Sequence, residues 1–506
     1  MRFSTTFFLL VCSGGVIALT SDLRIPQIHL SHASVVGKTV SNTEQFLGIP
    51  FALPPTGRRR FVPPVPYDVY TGVINATAYG LACPQLGGPP GNPGPPPAES
   101  EDCLTMNIIR PAGLKSYTRL PVAVWFHGGG FLFGRTESND GTPIVIRSME
   151  LNMPVIYASM QYRLNAFGFL PGKEVEAAGV GNLGLRDQRM ALKWIQQHIA
   201  SFGGDPYKVT IWGESAGAMS VAVEMITNGG HTDGLFRAAF MQSGSPQGAG
   251  DIELGQPYYD FLLRKTGCED AEYTLECLRD APFESLKAAV NQTAGLFSRH
   301  NLALAWKPRV DGEFLVDDPP QLPLRGSVGR VPFVTGDVDD EGTLFVQPLG
   351  DLNMTADLKN YLQTFYLASA HEKEVDEILS LYPDDVTQGP PFNTCTANVA
   401  YPQYKRVAAI AGDIAFQAPR RLLLDSTFGK QDSWAFLSKR NKTTPIVGSF
   451  HTTDIGIIYA PSDLTDYLIR HLWKIPLLGS FRSKQSTRSS RSKSSSGACQ
   501  SSSGTS

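Results

Sequence analysis

The sequence predicts an α/β protein built on one large, mainly parallel sheet with helices on both faces. Three observations carry that expectation. From residue 104 onward, short apolar runs alternate with amphipathic segments long enough for helices, the pattern of parallel strands joined by helical crossovers. One run, Lys208-Val-Thr-Ile-Trp212, leads directly into Gly213-Glu-Ser-Ala-Gly217, and Ala216 to Thr227 then reads as a helix. Another, Pro121-Val-Ala-Val-Trp-Phe126, leads directly into His127-Gly-Gly-Gly130. Parallel sheets bind ligands outside the carboxyl ends of their strands, so both glycine-bearing turns fall where a site belongs.

In chain order, residues 1–20 carry a positive start (Arg2), an apolar core (Phe7 to Val11) and small residues around Ala18 to Thr20, the layout of a cleaved secretory signal. That apolar run is shorter than the ~20 residues a bilayer span needs, and no other stretch qualifies. Phe46 to Pro55 is extended, apolar and ended by prolines. Pro84 to Pro97 is glycine and proline with few side chains to pack, so it reads as a stiff surface loop. Strands are expected over 121–126, 153–159, 208–212, 236–241, 331–335 and 433–438, and a helix over 187–202, where Met190, Trp194, Ile195 and Ile199 share a face. Residues between 241 and 331 are read as mostly helical. Leu468 to Leu478 is still apolar, whereas Gly479 to Ser506 has hardly an apolar residue and is expected to be disordered. The expected organisation is therefore a signal peptide over 1–20, one domain over 21–470 and an atypical Ser/Arg/Lys-rich tail over 471–506.

A net charge of −3 over 506 residues, without a basic stripe in the interior, argues against a nucleic-acid partner. Secretion makes the cysteines readable. Cys12 leaves with the signal peptide. Cys83 and Cys103 flank the Gly/Pro loop, and Cys268 lies close to Cys277, so both pairs read as local disulfide clasps, the longer worth about 3 kcal/mol on a chain-entropy argument. Cys395 and Cys499 are left over, and neither is expected to be catalytic. Asn75, Asn291, Asn353 and Asn441 each begin an Asn-x-Thr glycosylation acceptor.

The chemistry follows from what stands at the strand ends. A serine in a Gly-x-Ser-x-Gly turn between strand and helix is exposed at the helix N-terminus, where the amide of Ala216 faces a developing oxyanion. The glycine run His127-Gly-Gly-Gly130, directly after a buried strand, lets further backbone amides face a ligand without side-chain obstruction. A serine hydroxyl is a poor nucleophile until a base takes its proton, and that base needs a carboxylate to fix its tautomer. On residue chemistry alone, Asp337, Asp339, Asp340 and Glu341 compete for the acid, and His451 leads His231 and His471 only modestly. Ser215, acid, His is the chain order of the α/β-hydrolases.

The stretch Phe202-Gly-Gly-Asp-Pro-Tyr-Lys-Val-Thr-Ile-Trp-Gly-Glu-Ser-Ala-Gly217 resembles the serine signature of the type-B carboxylesterase/lipase family. Glu101-Asp-Cys-Leu-Thr-Met-Asn107 is similar to its second signature, departing at Met106. Phe46 to Pro55, Asn182 to Gln188 and Gln242-Ser-Gly-Ser245 resemble further family blocks, so the likeness covers roughly residues 21–465. It implies an α/β-hydrolase fold and ester hydrolysis through an acyl-enzyme, with Ser215 as nucleophile, Glu341 as acid and His451 as base. It implies oxyanion donors at Gly129, Gly130 and Ala216, and electrostatic support from Glu214, which alone reads equally well as a buried ion-pair member. The partner implied is a small-molecule ester, with no metal or organic cofactor; the oligomeric state is left open.

Two departures narrow the expectation. Residues 83–103 contain no Trp, Tyr or Phe, which disfavours the cation–π capture of choline found in cholinesterases of the family. The same loop is too short and proline-rich for the amphipathic lid of family lipases. A secreted carboxylesterase is therefore expected, with a lipase or sterol esterase, or a non-catalytic binding module on the same fold, as alternatives. The likeness also fades after Tyr467, where family members usually continue with packed helix. A truncation, a splice variant or a gene-model error is the expectation there, with a chain unable to fold as its extreme outcome.

Overall fold

The computed structural model describes residues 25–88, 97–115 and 117–459. The expected signal segment (1–20), much of the Gly/Pro loop and the tail (471–506) lie outside the described residues.

A nine-stranded sheet forms the centre. In chain order its strands are β1 (Lys38–Val40), β2 (Thr43–Pro50), β3 (Thr105–Pro111), β4 (Leu120–Phe126), β5 (Ile156–Met160), β6 (Gly204–Glu214), β7 (Ala238–Gln242), β8 (Phe333–Val338) and β9 (Ser433–Ser438). In space they run β9-β8-β7-β6-β4-β5-β3-β2-β1. From β9 to β5 every neighbour is parallel, and β3, β2 and β1 add antiparallel pairs at the far edge. A separate three-stranded sheet joins Gln27–Leu30, His32–Val36 and Thr71–Asn75.

The central strands read as unbroken apolar runs because both faces are covered. Val122 and Val124 of β4 meet Ala191, Leu192 and Ile195 of the helix Leu183–His198, together with Val221 and Met225 of the helix Ala216–Ile226. Ala123 and Trp125 point the other way, to Trp212, Phe240 and the helix Thr142–Glu150. The middle read as mostly helical is helical only in part: helices cover Gln256–Thr266, Thr274–Asp280, Phe283–Val290 and Gln321–Leu324, whereas 291–320 is irregular chain pinned by turns. Two further apolar clusters draw on the segments between 256 and 427, one of which reaches Ala216, Phe345 and Phe416 beside the elbow.

All six expected strands form, and β9 has the expected bounds; the others shift by one to four residues. β5 starts only at Ile156, past the N–H-less Pro154, and β6 starts earlier, at Gly204. The helix expected over 187–202 begins at Leu183, and a tighter turn takes over at Ile199–Phe202. Three strands of this sheet, β1, β2 and β3, were not anticipated. β3 is buried along its whole length although it contains Asn107 and Arg110, whose polar atoms are satisfied by Thr136, Glu44 and the carbonyl of Phe202. β2 overlaps the extended apolar stretch at Phe46.

Disulfides join Cys83 to Cys103 and Cys268 to Cys277, with Cα separations of 5.0 and 5.7 Å. Cys395, left over in the sequence reading, is also disulfide-bonded, its partner lying outside the described residues. Asn75, Asn291, Asn353 and Asn441 are all exposed.

Candidate active site

Ser215 sits between the end of β6 and the helix Ala216–Ile226 with φ 55° and ψ −127°, a backbone that L-residues rarely adopt and that costs of order 1–3 kcal/mol. Neighbouring packing holds it there. Its amide donates to the carbonyl of Gln242 on β7 at 2.9 Å. Gly217 permits the turn: a Cβ there would stand 2.0 Å from the carbonyl oxygen of Phe126, so only glycine lets the helix start press against the end of β4.

That same end of β4 continues into His127–Gly130. His127 is buried, its ring stacks on Tyr162 with centroids 4.3 Å apart, and Tyr162 Oη donates to its carbonyl at 2.7 Å. Burial pulls its pKa down to about 4, so it is a neutral strut. Gly129 and Gly130 have φ of 111° and 62°. Among the described residues no carbonyl accepts from the amides of Gly129, Gly130 or Ala216. Gly130 and Ala216 line one pocket with Ser215.

Of the four acids in Asp337–Glu341, only Glu341 reaches a histidine. Its Oε2 accepts from His451 Nδ1 at 2.6 Å, and its Oε1 accepts from the amide of Val338 at 2.8 Å. Asp337 pairs with Arg420 at 2.5 Å. Asp339 and Asp340 both bind Lys442, and Asp340 also accepts from the amides of Ser449 (2.8 Å) and Phe392 (2.9 Å). Glycine must follow Glu341 because a Cβ on Gly342 would come 2.0 Å from the carbonyl of Ala408 on the helix Tyr404–Gly412.

His451 is buried between the rings of Phe416 and Phe345, at 4.7 and 5.0 Å. Its Nε2 has Glu214 Oε1 at 3.3 Å but no hydrogen-bond partner among the described residues. Burial acts to lower the His451 pKa, but the Glu214 and Glu341 carboxylates outweigh it and raise it to about 9. Glu214 is pushed up to about 8 by burial, partly offset by His451 and reinforced by Asp454 and Glu341. Beneath them Trp212 donates to Gln242 (2.6 Å) and Gln242 to Asp454 (2.8 Å). The two groups around His451 and Ser215 thus share a site: Glu214 adjoins Ser215, and Phe345 and Phe416 line the Ser215 pocket. Among the described residues, no group of three or more His, Cys, Asp or Glu could hold a metal ion.

The pocket has about 690 Å³ of empty space, including that open to solvent. Its walls are chiefly Met219, Leu296, Leu302, Leu304, Phe345 and Phe416.

A family model described as "Carboxylesterase family" matches residues 24–466. The chain belongs to the carboxylesterase family. It is a carboxylic ester hydrolase of the α/β-hydrolase fold. It is 40% identical over 449 residues to "Secreted lipase 1" of Botryotinia fuckeliana, covering 84% of this chain and 78% of the relative. It is 40% identical over 448 residues to "Lipase 4" of Diutina rugosa, covering 83% and 81%. Among solved structures it resembles Aspergillus niger EstA, with a TM-score of 0.75 at 27% identity and 89% and 86% coverage.

The sequence reading did not find Gln242 and Asp454 as partners, or the pocket walls. Asp454, three residues past His451, carried a usable signal: an acid in a short segment otherwise of Thr and Ile. Leu302, Leu304 and Phe416 carried none, since an apolar residue in a helical region reads as core.

Proposed function

We propose that this chain is a secreted serine carboxylesterase, with the catalytic domain over 21–470, Ser215 as nucleophile, His451 as base and Glu341 as the orienting acid. The reading rests on one observation: the buried Glu341–His451 hydrogen bond of 2.6 Å beside a strained serine at the mouth of an apolar pocket. Ser215 Oγ attacks the ester carbonyl as its proton passes to His451 Nε2. The tetrahedral oxyanion takes hydrogen bonds from the amides of Gly129, Gly130 and Ala216. Collapse expels the alcohol, which receives the proton from His451, and leaves an acyl-serine. A water deprotonated by His451 then attacks the acyl carbon, releasing the carboxylic acid and restoring Ser215.

A short acyl group is favoured, because only 20 residues separate Cys83 from Cys103 and the intervening Gly/Pro sequence cannot form a broad apolar lid. The second reading, a lipase, is supported by relatives named as lipases and by the apolar walls of the pocket. Relatives named as secreted proteins support export, and four exposed Asn-x-Thr sites suit N-glycosylation on that route.

Hydrolysis of p-nitrophenyl acetate, butyrate and palmitate by secreted protein, with Ser215→Ala as the blank, tests both readings. Serine-dependent turnover falling from butyrate to palmitate supports the carboxylesterase. Preference for palmitate replaces it with the lipase. Folded protein without turnover refutes the roles assigned to the triad.

A further inference from the structure

The pocket over Ser215 contains a group its walls do not account for. Apart from Ser215, its lining has only two polar side chains, Gln247 and Lys307. Lys307 ends the run Leu302-Ala-Leu-Ala-Trp306, in which Leu302 and Leu304 face the pocket and Trp306 is fully buried, its Nε1 donating to Thr293 at 2.9 Å. The backbone is anchored on either side, by Trp306 and by the Arg309 amide, which donates to Asn182 at 3.0 Å. Lys307 is half-buried, and its Nζ makes one long hydrogen bond, 3.4 Å, to the carbonyl of Gly248.

No carboxylate pairs with this ammonium among the described residues. Asp318 is the acid whose charge it feels, but Asp318 Oδ1 already accepts from the amides of Ala249 (2.7 Å) and Gly250 (3.1 Å). Arg309 adds a second positive charge nearby. Burial first, and Arg309 second, lower the Lys307 pKa to about 8, which still leaves it mostly protonated at pH 7. A lysine at the rim of an apolar pocket commonly carries its head to water. Here the residue is half-buried and lines the pocket, with the Arg309 charge nearby and no carboxylate partner among the described residues, an arrangement that gains from an incoming anion.

We propose that Lys307 is a specificity-determining residue of this pocket, selecting esters that carry a second, anionic group, a carboxylate, on the portion bound against Gln247 and Gly248. The proposal rests on the ester-hydrolase reading of Ser215 given above and refines its substrate class: monoesters of dicarboxylic acids over plain alkyl esters of similar length.

The test compares mono-p-nitrophenyl glutarate with p-nitrophenyl hexanoate, in full-length wild type, Lys307→Met and Lys307→Glu. In wild type the kcat/KM ratio favours the glutarate monoester. In Lys307→Met the ratio falls roughly tenfold, the size of one charge-assisted hydrogen bond. In Lys307→Glu it falls further, and p-nitrophenyl 6-aminohexanoate becomes the better substrate. A wild-type ratio below one that is unchanged in Lys307→Met overturns the proposal while leaving the esterase reading standing. Absence of Ser215-dependent hydrolysis of both esters refutes the esterase reading itself, and the proposal with it.

Discussion

The proposed nucleophile and the proposed base are held by different kinds of structure. Ser215 stands on the central strand β6, flanked by β4 and β7, and within a few residues of sequence its turn is fixed by strand, helix and glycine. His451 lies thirteen residues beyond the end of β9, the edge strand, on a segment with no strand or helix of its own before Ile455. What holds it comes from elsewhere: Glu341 and Asp340 after β8, Lys442 after β9, Phe416 from the turn before helix Ala418–Thr427. One half of the site is made by local geometry, the other by a set of long-range polar contacts.

The largest effect on either side is chemical. Ser215→Ala removes the bond-forming atom, and turnover of p-nitrophenyl butyrate is expected to fall by about a millionfold, with a thermal midpoint at or above that of wild type because the hydroxyl carries no structural hydrogen bond in the described structure. A residual rate within tenfold of wild type would locate the nucleophile elsewhere. Glu341→Gln comes next. An amide has the shape of the carboxylate but can present its NH2 to His451 and favours the wrong tautomer, so kcat is expected to fall by about ten-thousandfold.

These two variants also mark what the sequence disclosed. The elbow was legible because each of its requirements is local: a β-branched strand, glycines at close approaches, a helix start. The Gly217 contact with Phe126 explains why the motif has its glycine there, and strand–turn–helix reasoning finds it without any knowledge of the rest of the chain. Choosing Glu341 from four neighbouring acids needed tertiary facts, that Asp337 faces Arg420 and that Asp339 and Asp340 share Lys442. Only the family resemblance pointed to Glu341 beforehand. β3 was missed for a related reason: its Asn107 and Arg110 look unsuited to a buried strand until Thr136, Glu44 and Phe202 are seen to satisfy them.

A perturbation aimed at the tertiary half sharpens the contrast. Asp340→Asn keeps the side chain's shape but weakens its link to Lys442 and its grip on the Ser449 amide, next to the histidine segment. A loss of about 2 kcal/mol in unfolding free energy is expected, with a drop in kcat and little change in KM, since the pocket walls are untouched. Denaturant titration alongside steady-state kinetics measures both. A stability loss with wild-type kcat would mean that His451 is held independently of Asp340, and the contrast between the two halves would collapse.

The mildest variant probes the one carboxylate that belongs to both halves. Glu214 precedes Ser215 on the local side and lies 3.3 Å from His451 on the tertiary side. A histidine acts as a base only when neutral, so with His451 in the proposed role kcat/KM rises with pH through its pKa in the free enzyme. Glu214 and Glu341 together hold that pKa up, to about 9, which places the wild-type rise on the alkaline side of neutrality. Glu214→Gln deletes one of the two charges while leaving the Glu341 hydrogen bond in place. The pKa of His451 then falls and the acidic limb moves to lower pH, with a plateau rate within about tenfold of wild type. A limb that stays put would show that Glu341 alone sets the basicity of His451, and that Glu214 is no more than a buried member of the elbow.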